Sequence, residues 1–125
     1  MLILPIKRKW LEMIRAGEKK EEYRALSPYY AARFKRYLGW EFLTMPNKVV
    51  EDTFRAAGAK GVPFDGIVLR GGYSLFSPAT LVKGRITIGE GKPEWGAKRG
   101  EEYYILHIDD LEDLLTVDGQ RRLTK

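Results

Sequence analysis

A lysine, a glutamate and an arginine stand at positions 19, 22 and 24, inside the stretch AGEKKEEYR that runs from Ala16 to Arg24. An ammonium, a carboxylate and a guanidinium this close can hold an anion, orient an acceptor or move a proton. In an extended strand alternate residues share a face. Glu22 and Arg24 then point the same way, with Cα atoms about 6–7 Å apart, and Tyr23 points the other way. Lys19 falls at a turn, where alternation does not fix its direction. Lys7 ends the preceding strand and joins the group if the two strands pair. Two readings stand side by side. In one, Lys7, Lys19 and Arg24 surround an anionic group, and Glu22 orients the arginine or accepts from a base or sugar. In the other, the stretch is a charged edge strand whose ion pair is exposed and worth no more than about 1 kcal/mol.

Other residues carry the same two-sided reading. Arg70 ends a strand beside Gly71-Gly72, where backbone can approach a ligand closely; it can equally pair with a carboxylate. Tyr29, Arg33 and Arg36 share part of a helix face. They could stack a base and hold phosphate, or form an ordinary solvated face. Trp95 is either a stacking platform or an apolar plug. His107 reads as a satisfied core or edge histidine, and Asp109-Asp110 as helix caps.

These side chains need elements to position them. Met1 to Ile6 alternates as a strand, with Pro5 implying an edge or a bulge. Residues 8–16 form a helix through Trp10, Met13 and Ile14, stopped by Gly17. Lys20 to Arg24 is a second strand. Ser27-Pro28 starts a helix whose apolar stripe is Tyr30, Phe34, Tyr37 and Leu38, ended by Gly39. Asn47 caps a helix to Ala57, with Val50 and Phe54 inward and Gly58 beyond its end. The loop GAKGVPFDG leads to a strand over Ile67–Arg70. Thr80 to Ile88 is a long strand with Val82, Ile86 and Ile88 on one face and Lys83 and Arg85 on the other. A turn-rich loop, GEGKPEWG, precedes a strand over Tyr103–Ile108. Asp109 then caps a short helix carrying Leu111, Leu114 and Leu115. GQRRLTK is a frayed tail. The mixture is α+β, with a small curved sheet or barrel as its core. No glycine-rich strand-to-helix phosphate loop speaks for a doubly wound sheet.

The 125 residues suit one domain, over 1–115, followed by a short tail over 116–125. The absence of cysteine excludes disulfides, thiolate zinc sites and a cysteine nucleophile, and a single histidine excludes a His-rich metal cluster. No metal and no cofactor is expected. The N-terminal apolar run is too short for a signal peptide or a membrane span, so the expectation is a soluble, cytoplasmic protein without membrane contact. Lys and Arg number 22 against 17 Asp and Glu, a net charge of +5. That balance suits anionic partners, nucleic acid first, but many proteins this basic bind no polyanion.

Gly17, Lys19, Glu22 and Arg24 spell G-x-K-x-x-E-x-R. The pattern resembles the signature of the ASCH domain, a relative of the PUA RNA-binding domain. Its context is similar too: a first strand ending IK, a helix with an early tryptophan, then the motif entering a strand. FDGIVLRGGYS and GEGKPEWGA…EEYYIL resemble the small prokaryotic and phage members, and the resemblance covers most of residues 1–108. It implies a PUA-like β-barrel with helices packed around it and a cleft beside the motif that binds RNA or a nucleotide-like ligand; with the reading of the residues above, the expected binding residues are Lys7, Lys19, Glu22, Arg24 and Arg70. Some ASCH proteins are amidohydrolases on acylated cytidine and use a lysine, a threonine and a later glutamate. Here Lys19 matches the lysine and Glu94 is the candidate for the later glutamate, but Glu22 occupies the threonine position. A carboxylate cannot replace the hydroxyl nucleophile, so that activity does not carry over directly. Other members are ribonucleases. The alternatives to a binding module are therefore a hydrolase of RNA or of a modified nucleoside, with Lys19, Glu22 and Glu94 as its groups, and a protein-interaction module.

Overall fold

A computed structural model describes residues 1–74, 76–117 and 120–123. It is a mixed α+β arrangement. The elements are β1 (Leu2–Pro5), α1 (Arg8–Arg15), β2 (Glu21–Ala25), α2 (Pro28–Phe34), α3 (Asn47–Ala57), β3 (Val62–Arg70), β4 (Ala79–Glu90), β5 (Glu102–Val117) and β6 (Gln120–Leu123). The strands hydrogen-bond in the order β1-β3-β4-β5-β2, with β6 on β5. β1 lies at one end of that order, where Pro5, lacking an N–H, is tolerated. Among the described residues no helix is long and apolar enough to cross a membrane. The chain divides into two compact units. One takes Met1–Lys20, Asp65–Gly84 and Ile108–Lys125, and the other takes Glu21–Phe64 and Arg85–His107.

In the first unit β1 runs parallel to β3, pairing Leu2 with Ile67 and Leu4 with Leu69. α1 buries Leu11 and Ile14, one turn apart, while Trp10 and Met13 are half-buried. The helix ends at Gly17, where φ is +78°. The Gly17 amide donates to the Ile14 carbonyl at 3.0 Å and the Glu18 amide to the Met13 carbonyl at 2.9 Å. This is the doubled closing bond of a helix whose last turn needs a left-handed residue, so glycine is required there.

In the second unit β2 runs antiparallel to β5, with Glu22 opposite Leu106 and Arg24 opposite Tyr104. Ser27 Oγ accepts from the Tyr30 amide at 3.3 Å and so caps α2. α3 turns Val50 and Phe54 inward, both fully buried. Phe34 and Phe54 meet the Tyr104 ring edge-on, at 5.2 and 5.4 Å between centroids.

Several expectations need correction. The helix over Leu111–Leu115 is not formed. β5 continues through that stretch, because β6 supplies a ladder in which Leu114 pairs with Leu123. A strand partner that follows directly in sequence outweighs the helical spacing of three leucines. The segment read as a frayed tail thus contributes a strand at Gln120–Leu123; Gly119, Thr124 and Lys125 lie outside the described residues. Asp110 caps no helix, and its carboxylate accepts from the next amide, that of Leu111, at 2.9 Å. β3 begins at Val62, within the stretch expected to be loop. Pro46, not Asn47, is the residue before α3.

The Tyr104 hydroxyl is buried without a hydrogen-bond partner. Burial above all, with Glu51 adding and Arg55 subtracting, pushes this phenol up to about 12. Tyr104→Phe deletes the orphan group, so at neutral pH its stability should be unchanged or higher by up to about 1 kcal/mol. The folded protein holds this proton above the unfolded value of about 10. The stabilisation is therefore complete below about pH 10 and is lost as pH rises toward the folded value. Thermal melts of both proteins at pH 7 and pH 11 check this: the wild type should lose more between the two. An equal alkaline loss would mean that Tyr104 is not the responsible group.

Candidate functional site

The motif starts as a helix ending. The turn at Gly17 carries the chain back, and the Lys19 amide also donates to the Met13 carbonyl, at 3.1 Å. That tether aims the Lys19 side chain inward, where it is 1 % exposed. Its ammonium stands 5.3 Å from the centre of the Trp10 ring. A lysine buried this far needs compensation, and the face of an indole supplies part of it. Lys19 also lines a depression of about 230 Å³, together with Ile14, Gly17, Ile108 and Asp109.

β2 then sorts its side chains by alternation, as expected. Glu22 and Arg24 are buried on one face, and Arg24 Nη2 donates to Glu22 Oε2 at 2.7 Å, with the side chains 8 % and 9 % exposed. The choice left open at the sequence level is thereby made: the pair is a buried one, not an exposed one. Arg24 Nη1 donates to the Tyr30 hydroxyl at 3.3 Å. Tyr30 stacks on Phe34 at 5.9 Å, and Phe34 meets Tyr104. The guanidinium thus sits at the end of an aromatic column fixed by α2 and β5.

The other face of β2 carries Tyr23, whose ring lies 5.6 Å from that of Tyr103 in a cluster with Ala97 and Ile105. The Tyr23 hydroxyl donates to Glu21 at 2.8 Å and accepts from the Lys92 amide at 2.9 Å. Burial pushes this phenol above its ordinary value, the Lys92 amide pulls it partly back, and Glu21 raises it further. Tyr23 thereby clasps the GEGKPEWG loop. Gly91 has to be glycine there, because a Cβ would stand 2.7 Å from both the Tyr23 ring and Ala97. His107 shares this face, 2.8 Å from Thr87 Oγ1 and 3.7 Å from Glu21, and is a satisfied, half-buried histidine within the sheet rather than at its edge.

The remaining candidates are spread out. Lys7 is exposed and stands just ahead of α1, where its carbonyl accepts from the amides of Trp10 and Leu11. The strand pairing that would have brought it to β2 is not made, since β1 pairs with β3 and β2 with β5. Arg70 ends β3, half-buried, and its Nε is buried without an acceptor; no carboxylate pairs with it among the described residues. Glu94 is exposed in a short turn, and Trp95 beside it is half-buried under the Lys92 ammonium at 4.6 Å. Arg33 packs its guanidinium on the Tyr29 ring at 3.4 Å and donates to the Tyr29 carbonyl, forming a local stack on an exposed helix face. Among the described residues no group of three or more His, Asp or Glu could hold a metal ion.

Two contributors went unassigned from the sequence. Tyr30 was read only as part of an apolar stripe, yet its hydroxyl meets Arg24. Trp10 was read only as a helix residue, yet it faces the Lys19 ammonium. The available signal was an aromatic one turn into each flanking helix. No family profile, no curated protein and no solved structure matches this chain.

Proposed function

We propose that this chain is an ASCH-type, PUA-like domain that binds RNA or a nucleotide-like ligand through the charged residues of its Gly17–Arg24 segment. The observation that carries the reading is burial: Lys19, Glu22 and Arg24 are all at least nine-tenths buried. Charge runs are usually solvated, and burying ions costs several kcal/mol each unless something compensates. Three desolvated charges of both signs within six residues fit a recognition site better than a solubilising edge. The net charge of +5 favours an anionic ligand.

The test is titration with short single-stranded RNA at 50 and 200 mM salt. If three basic side chains each meet a phosphate, affinity should fall up to about 20-fold between the two. Single strands should bind more tightly than duplex, because a pocket takes unpaired bases. No binding at 50 mM would sink the reading. Cleavage of the RNA during the titration would shift it to a ribonuclease, with Lys19 and Glu22 as proton-transfer groups.

A further inference from the structure

A second depression, of about 190 Å³, is lined by Ile3, Pro5, Arg70, Gly72 and Tyr73. It lies apart from the one beside Lys19 and shares none of its lining residues. Its chemistry is simple. Among the described lining residues Arg70 is the only charged side chain, and none is an acid that would repel an anion. The guanidinium is only half-buried, its Nε is sealed from water without an acceptor, and no protein carboxylate neutralises it among the described residues. A buried N–H left unbonded is unfavourable until an acceptor arrives. Neighbouring arginines show the usual alternative: Arg8 spends its Nε on the Gly71 carbonyl at 3.1 Å, and Arg15 on Asp113 at 2.9 Å. In the same depression Tyr73 is 92 % exposed and Ile3 47 % exposed, so exposed apolar side chains accompany the cation.

The geometry points to a nucleotide subsite here, with phosphate on the Arg70 fork and the base against Tyr73. This deepens the reading above and rests on it for the class of ligand. Size supports the division of labour. A pocket that swallows a whole small ligand measures about 300–1,000 Å³, so this one holds a phosphate and leaves the base outside on the ring. Arginine offers phosphate two parallel N–H groups, and a small turn of the fork brings Nε into that pair. An aromatic face stacks any base without choosing its sequence.

The experiment is equilibrium binding of adenosine monophosphate, adenosine and inorganic phosphate to the full chain. The monophosphate should bind about tenfold or more tightly than either fragment, because only it engages both groups. Arg70→Gln and Tyr73→Ala should each bring the monophosphate down to fragment affinity, while their melting temperatures show that the variants are folded. A monophosphate that binds no better than adenosine, or a folded Arg70→Gln that binds it normally, would overturn the subsite. A single-stranded oligoadenylate with a terminal phosphate, in the same assay, separates the two sources. Tighter binding than the free monophosphate marks a strand end as the ligand, and weaker binding marks a free nucleotide. Either supports the subsite. Loss of all strand binding with monophosphate discrimination intact would sink the broader RNA reading and leave this one standing.

Discussion

Arg24→Ala should destabilise the protein by about 3–5 kcal/mol, because it leaves the Glu22 carboxylate buried without the guanidinium 2.7 Å away. Denaturant titration measures the loss. The double variant Glu22→Gln/Arg24→Met removes both charges and keeps most of the volume. It should recover most of that loss, since an apolar or neutral replacement of a buried ion pair is often neutral or stabilising. The contrast separates two purposes. If the pair serves only the fold, the recovered double variant also keeps its RNA affinity. If the pair serves recognition, the double variant is stable and binds poorly. A loss under about 1 kcal/mol for the single variant would mean that the pair behaves as if solvent-exposed.

The second large effect lies behind the first. Phe54→Ala should cost about 3–5 kcal/mol, because the ring is fully buried and its neighbours cannot collapse into the space. Its partner is Tyr104, at 5.4 Å, which stands directly opposite Arg24 in the β2–β5 ladder. The void therefore opens under the column of Tyr104, Phe34 and Tyr30 that ends on the Arg24 guanidinium. Weaker RNA binding should accompany the lost stability even at temperatures where the variant is fully folded. A variant that loses the stability but keeps wild-type affinity would show that the column supports the fold and not the site.

What the sequence made legible was local. Ser27-Pro28 announced α2, Gly17 announced the end of α1, and the alternation Glu22-Tyr23-Arg24 set which side chains share a face. Each depends on a few neighbouring residues and on one steric or hydrogen-bonding rule. What stayed hidden depended on which strand a segment pairs with and how deep a side chain lies. Leu111, Leu114 and Leu115 have helical spacing, yet their segment is strand, with Leu114 paired to Leu123 of the β6 that follows it in sequence. The depth of Lys19 was equally out of reach, because a lysine in a charged run is ordinarily solvated. Its burial follows from the tether to Met13 and the ring of Trp10, and no composition rule records either contact. Lys7 was expected near β2 because a short helix joins the strands, but the pairing order places β3 beside β1.

That pairing order has a consequence for the chain as it is made. Leu2 and Leu4 of β1 find their partners only when Ile67 and Leu69 exist. At a synthesis rate of about 5–20 residues per second, the first strand waits roughly 3–13 s after it is made. During that time its apolar side chains have no sheet to join, while β2 waits longer still, for Tyr103–His107 of β5. α1, α2 and α3 can form meanwhile from local contacts, but the ladders that bury the motif close late. The nascent chain thus carries exposed apolar and charged strand segments through most of its synthesis, the condition under which a chaperone finds most to hold.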